Sequence, residues 1–275
     1  MFGSVLVPLD GTSFSERSLP LAEMVGKVAG TRLHLVSVDG GGAEKEGYLT
    51  GIADRLRAGG ADVEHAVLEG KVVDALAGHA QKVAADLVIM ATHGRSGLDR
   101  LRLGSVAEGL VTRGVAPMLL FHPGPDSSSE APAAIERVVV ALDHSSFAQS
   151  ILEPLESLGR AAGVSSYTIV HAAESKGAAG RAGWTPVAAV QARANERMGP
   201  IRERLGADGA EVDLQVVIAA EPSDGILGVA QAANADLIAM TTHGMTGLRP
   251  TMLGSVASQV LRGWNGLLLL RRPEE

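Results

Sequence analysis

The chain has 275 residues, 46% of them hydrophobic and 3% aromatic, and a formal net charge of −7. That length suits two domains of ordinary size with cores built from Val, Leu, Ile and Ala, and the acidic balance argues against a nucleic-acid or acidic-membrane surface. Without cysteine, disulfides, thiol catalysis and Cys-ligated zinc are excluded. No apolar run approaches a membrane span, and MFGSVLVPLDGTS reaches Asp10 with no basic flank, so a cytoplasmic protein is expected.

In chain order, a first strand starts at Val5 and ends in Asp10. A Ser/Thr cap leads from it into an amphipathic helix with Leu19, Ala22 and Val25 as core positions. LHLVSV (33–38) reads as the second strand, followed by a short GGG-containing connection at 40–42 and a third strand, VEHAVLEG (63–70). A helix at 72–84, a fourth strand DLVIMAT (86–92), a glycine-bearing loop, a helix at 105–113 and a last strand PMLLF (117–121) follow. HPGPDSSSEAPAA (122–134) has the Pro, Ser and Ala content of a linker.

The pattern then repeats. VVVALD begins at Val138 and ends in Asp143, and YTIVHA (167–172) is the next strand. SKGAAGRAGWTP and a longer helix at 186–205 stand where the first half has its short connection, so the first half leaves the strand ends less covered. VDLQVVIAA (212–220), a helix at 222–234, DLIAMTT (236–242), a helix at 255–263 and GLLLL (266–270) complete the second half. Alternating strands and helices, with near-continuous apolar strands, predict an α/β fold with a five-stranded parallel, Rossmann-like sheet in each half. The expected division is 1–123, a linker at 124–134, and 135–275. The apolar last strands would lie at sheet edges, which invite pairing. The halves can satisfy each other inside one chain as a pseudo-twofold pair; a homodimer of the whole chain stays open.

The strongest signal is a passage written twice. Residues 85–108 and 235–258 share 14 of 24 positions at a constant offset of 150. Both contain the glycines Gly94/Gly244, Gly97/Gly247 and Gly104/Gly254, and a Gly-Ser step that opens a helix. Such a loop can hold an anion on backbone N–H groups and the positive end of a helix. Ser105 and Ser255 would cap those helices. Ligands of open α/β sheets sit beyond the strand C-termini where strand order reverses, which would bring Asp10 to the Gly94 loop and Asp143 to the Gly244 loop. The same glycines and serines also serve as plain turn and cap residues.

These residues resemble the universal stress protein family, and the chain resembles a tandem member with two such domains. The family's ATP-binding motif has a glycine, two residues, a second glycine, nine residues, then Gly-Ser or Gly-Thr. The second glycine matches Gly94 and Gly244, and the closing pair matches Gly104-Ser105 and Gly254-Ser255. At the first glycine stand Ala91, a small change, and Thr241, whose β-branch would crowd a nucleotide or move the loop. The resemblance implies an adenine nucleotide alpha hydrolase-like fold holding ATP, with Mg²⁺, at the strand ends. It places Asp10 and Asp143 at the ribose and the backbone of Val38 and Ala172 at the adenine. It sets Gly94, Gly104, Ser105 and Val106 around the phosphates of one site, and Gly244, Gly254, Ser255 and Val256 around those of the other. Arg95, Arg100 and Arg102 give the first loop more positive charge than Arg249 gives the second, so the first half is expected to bind more tightly.

His93 and His243 stand in Thr-His-Gly without a second ligand at metal spacing and read as loop-ordering residues. Trp184 and Trp264 read as surface or interface groups. No nucleophile elbow or phosphate-loop lysine is present, so catalytic residues are not assigned and hydrolysis is expected to be slow at most. The expected function is adenine-nucleotide binding in a stress response. The rivals are an ATP-hydrolysing or nucleotidyl-transferring enzyme of the same architecture and a nucleotide-free interaction module.

Overall fold

The computed structural model describes residues 1–38, 42–92, 103–123, 131–132, 134–174, 187–243 and 253–273. The first half supplies strands β1 (Ser4–Pro8), β2 (Arg32–Val38), β3 (Asp62–Leu68), β4 (Leu87–Ala91) and β5 (Met118–His122). The second supplies β6 (Arg137–Ala141), β7 (Ser166–Glu174), β8 (Glu211–Ala219), β9 (Leu237–Thr241) and β10 (Gly266–Arg271). Helices α1 (Leu19–Gly26), α2 (Gly42–Ala58), α3 (Val72–Lys82) and α4 (Ser105–Arg113) alternate with the first five strands. Helices α5 (Ser146–Gln149), α6 (Leu152–Ala162), α7 (Val187–Leu205), α8 (Pro222–Ala232) and α9 (Ser255–Gly263) alternate with the rest.

All ten strands form one sheet in the order β3-β2-β1-β4-β5-β10-β9-β6-β7-β8. Every pairing is parallel except that of β5 with β10, which is antiparallel from Gly266 opposite His122 to Leu270 opposite Met118. The two apolar last strands thus close each other's edges, and the chain is a pseudo-twofold pair of Rossmann-like halves. Side chains alternate across the sheet. Val5, Val7, Leu119 and Leu269 enter the core under α1, α2, α6 and α7, while Leu6, Leu120, Leu268 and Leu270 enter the opposite core with α3, α4, α8 and α9. Each core runs through both halves.

Three expectations change. The first connection is not a bare short loop: α2 has 17 residues against 19 in α7, so its polar EKEGYLTG stretch is helical and its Leu49, Ile52 and Leu56 face the core. The extra length of the second half therefore falls at 175–186, outside the described residues together with Trp184. Trp264 is buried in the core, its Nε1 donating to the Leu267 carbonyl at 2.9 Å.

The turns after β1 and β6 share one device. Asp10 Oδ1 accepts from the Thr12 amide at 2.9 Å and the Thr12 hydroxyl at 2.6 Å. Asp143 Oδ1 accepts from the Ser145 amide at 3.0 Å and its hydroxyl at 2.5 Å. The intervening residue must turn left-handed. Gly11 does so at φ +84°, where glycine has no steric penalty, whereas His144 does so at φ +69°. The His144 ring lies 3.8 Å from that of His171, whose Nδ1 donates to the Leu142 carbonyl at 3.0 Å.

Leu268 is 1% exposed at the middle of the β5–β10 seam. Leu268→Ala should lower stability by about 2–5 kcal/mol in urea denaturation. One transition should be seen by both far-UV circular dichroism and tryptophan fluorescence, since both halves share the seam; two separated transitions would refute the shared core.

Burial, His171 and Arg197 push the His144 pKa down to about 4, with Asp143 opposing. A histidine held neutral in the fold while the unfolded chain protonates near pH 6.5 removes stability as pH falls from about 6.5 to about 4. Burial shifts His34, His79 and His122 in the same direction. His144→Gly, which copies Gly11, should therefore make the fall in denaturation midpoint over that window shallower without abolishing it. An unchanged slope would count against the assignment.

Candidate functional site

Strand order reverses between β1 and β4 in the first half and between β6 and β9 in the second. At the first reversal lies a cavity of about 710 Å³, within the size range of small-molecule sites. Its lining includes Asp10, Val38, Gly104, Ser105 and Val106, five of the six positions expected in this half. The sixth, Gly94, lies outside the described residues, as do Gly97, His93, Arg95, Arg100 and Arg102.

Each element contributes by its position. The floor is the C-terminal ends of β1, β2 and β4, with Pro8, Val36, Met90 and Ala91. One wall is α3, through Val72 and Leu76, one helical turn apart. The other wall is the start of α4, where Gly104 holds φ −58° and ψ 146° ahead of Ser105. The expectation that Ser105 and Ser255 cap their helices is not met. Both are the first helical residue; the cap positions are Gly104 and Gly254, and neither helix has a side-chain cap bond. The amides of the first turn of α4 therefore have no capping side chain and face the end of the cavity, a site suited to an anion.

Asp10 and Glu108 also line the cavity, and no Lys or Arg does among its described residues. From outside, Lys45 on α2 donates from Nζ to the Asp10 carbonyl at 2.5 Å. It passes over Gly11, where a Cβ would stand 2.7 Å from that Nζ. Sequence reasoning missed Lys45 because it missed α2, and within the helix read at 72–84 it singled out neither Val72 nor Leu76. An apolar i, i+4 pair looks the same whether it faces a core or a cavity.

The second half places Asp143, Ala172, Gly254, Ser255 and Val256 at the matching ends of β6 and β7 and the start of α9, while Gly244, Gly247 and Arg249 lie outside the described residues. Its geometry differs at the tip of β9. The Thr241 hydroxyl donates to the His243 carbonyl at 2.9 Å, and the Thr242 hydroxyl lies 3.0 Å from His243 Nδ1. The loop that His243 was expected to order lies outside the described residues. Gly254 N donates to the Thr242 carbonyl at 2.9 Å, in a contact so close that a Cβ on Gly254 would collide with that oxygen. In the first half, Thr92 turns its hydroxyl to the neighbouring strand instead, 2.8 Å from His122 Nδ1. Helix α8 lies on β6, β7 and β8, with Gly225 leaving 3.4 Å between its Cβ position and Ala172, whereas α3 packs mainly on β2 and α4.

No group of three His, Asp or Glu among the described residues could hold a metal ion by protein ligands alone, and none of their helices is long and apolar enough to cross a membrane.

Known proteins share this architecture. The universal stress protein of Archaeoglobus fulgidus DSM 4304 superposes with a TM-score of 0.70 at 21% identity, covering 98% of this chain and 98% of that one. A functionally unknown protein, PA1789 of Pseudomonas aeruginosa PAO1, superposes at 0.75 with 18% identity, covering 99% and 93%. Universal stress protein MJ0531 of Methanocaldococcus jannaschii is 38% identical over 61 residues, which is 22% of this chain and 36% of that relative's length. The model of the universal stress protein family matches residues 39–122 and 134–265, one match in each half, and the chain belongs to that family.

Proposed function

We propose that the chain binds an adenine nucleotide, ATP with Mg²⁺, in the first-half cavity, as a cytoplasmic stress-response protein with little or slow hydrolysis. The observation that carries this reading is the convergence of Asp10, Val38, Gly104, Ser105 and Val106 on one cavity at the β1/β4 reversal. Asp10 would hold the ribose hydroxyls, Val38 would present backbone to the adenine between β2 and α3, and the α4 amides would hold phosphate. Gly94 and Gly244 belong to the same reading, as do Asp143, Ala172, Gly254, Ser255 and Val256 by their equivalent positions. So does the division at 1–123, 124–134 and 135–275.

The donor set fits the metal. Asp10, Glu108 and Ser105 offer hard oxygen atoms, the kind Mg²⁺ takes with its waters and nucleotide phosphates. A bound Mg²⁺ would offset phosphate charge against these two carboxylates. The reading is of binding, with little or slow hydrolysis. The internal β5–β10 seam takes up the edges that would otherwise seek a second copy, and a homodimer is not needed to complete the cavity.

The test uses Val72, which lines the cavity yet is 41% exposed, so a larger side chain there fills the cavity without disturbing the core. Saturation 100-fold above Kd stabilises a protein by about 2.7 kcal/mol, which for a chain of this size is a rise in Tm of about 5 °C or more. Wild type should show that rise with millimolar ATP and Mg²⁺, a smaller one with EDTA, and none in Val72→Trp. No rise in wild type, with no nucleotide released on acid extraction, would sink the proposal.

A further inference from the structure

The turn after β1 meets a helix as well as a cavity. Lys45 of α2 donates from Nζ to the Asp10 carbonyl at 2.5 Å, and Asp10 lines the cavity. Resting on the nucleotide reading above, we infer that Lys45 is a phosphate-binding residue of the first-half site, the cation that α2 brings to the Asp10 edge of the cavity.

Helix α2 is anchored by Leu49, Ile52 and Leu56, all buried in the core. Lys45 stands one helical turn before Leu49, so its position along the sheet is fixed while its four-carbon stem leaves the ammonium free to swing. An ammonium has three N–H donors. One goes to the Asp10 carbonyl, and the other two have no partner among the described residues. Asp10 and Glu108 place two carboxylates on the cavity, and both repel a phosphate. A cation at the Asp10 edge offsets the nearer one. A bond from the ammonium to a phosphate oxygen carries charge on both partners, so it is stronger than the bond to a neutral carbonyl. A phosphate chain held on the α4 amides shares its cavity with Asp10, and Lys45 approaches it from the side away from α4.

Gly11 makes the approach possible. It holds φ +84°, and a Cβ there would stand 2.7 Å from Lys45 Nζ. The second half replaces both members of this arrangement. Gly11 corresponds to His144. Counting back from Val63 on β3 and Val212 on β8, which pair with the equivalent Leu33 and Tyr167, Lys45 corresponds to Ala194 and Tyr48 to Arg197. Ala194 is fully buried and uncharged. The positive charge of that helix near the turn is Arg197, which acts on the His144 ring. Among the described residues, the Lys45–Gly11 arrangement therefore has no counterpart in the second half.

Isothermal titration calorimetry of the full chain with ATP and Mg²⁺, at low and at high NaCl, tests this. Lys45→Met keeps the stem and removes the charge. It should weaken ATP binding about 10-fold and make the salt dependence of Kd shallower than in wild type. Lys45→Arg, which keeps the charge, should recover most of the affinity and the wild-type salt dependence. Lys27→Met makes the same charge change at the end of α1 away from the Asp10 turn, where Lys27 pairs with Glu23, and should leave both unaltered. Unchanged affinity in Lys45→Met would overturn the inference. So would a loss that keeps the wild-type salt dependence or that Lys45→Arg fails to recover, since Lys45 would then only support the Asp10 turn. A loss equally large in Lys27→Met would reduce the effect to net charge and overturn it too. No ATP binding by wild type at all would overturn the nucleotide reading itself.

Discussion

The antiparallel pairing of β5 with β10 is the constraint on which the rest depends. Each is an apolar run ending in one polar residue, MLLFH and GLLLLR, at what would be the edge of a five-stranded sheet. An exposed edge of that kind is a template for aggregation. Pairing the two removes both edges and buries Leu119, Leu120, Leu267, Leu268, Leu269 and Leu270 at 0–1% exposure. It also fixes where chemistry can occur. Strands of the two halves run in opposite directions across the seam, so their C-terminal ends lie at opposite ends of the sheet. The two ligand positions of a duplicated Rossmann-like scaffold are therefore held apart, and each half is free to change its loop without disturbing the other.

That freedom shows in the residues that differ. The Asp10 and Asp143 turns keep the same acceptor and the same Thr or Ser donor two residues on. What lies between and around them does not match. Gly11 and Ser37 of the first half correspond to His144 and His171 of the second, whose rings lie 3.8 Å apart and tilted by 35°. Keeping His144 left-handed costs backbone energy that glycine avoids. In the first half, the space over Gly11 is instead crossed by Lys45.

Much of the fold was legible because parallel strands buried on both faces read as short continuous apolar runs, and each run from VLVPLD to GLLLL became a strand. The seam was legible for the same reason, since an apolar strand with no sixth partner must find one. Helix α2 was not, because three glycines and EKEGYLTG look like a loop until Leu49, Ile52 and Leu56 are counted at helical spacing. Ser105 and Ser255 were misplaced by one position: a Gly-Ser step reads as glycine turn plus serine cap, but the glycine itself takes the extended cap conformation. Trp264 follows a helix and precedes Asn265-Gly266, which suggests surface, yet its indole finds the Leu267 carbonyl and can be buried. The direction of the Thr241 and Thr242 hydroxyls left no trace in the sequence, since Thr92 and Thr242 are identical letters with different partners.

The misplaced cap bears directly on the site. A serine at the cap position would have satisfied amides of the first turn from within the protein, and α4 would have offered little to a ligand. With Gly104 there, no side chain competes, and the partial positive charge of the helix start faces a cavity whose charged side chains, among the described residues, are carboxylates. An anion alone would be drawn to one end and repelled along the way by Asp10 and Glu108. A cation alone would meet the reverse. A polyanion that carries its own divalent cation can offer opposite charge to both, which is the physical ground of the proposed preference for a metal-bound nucleotide over a free phosphate.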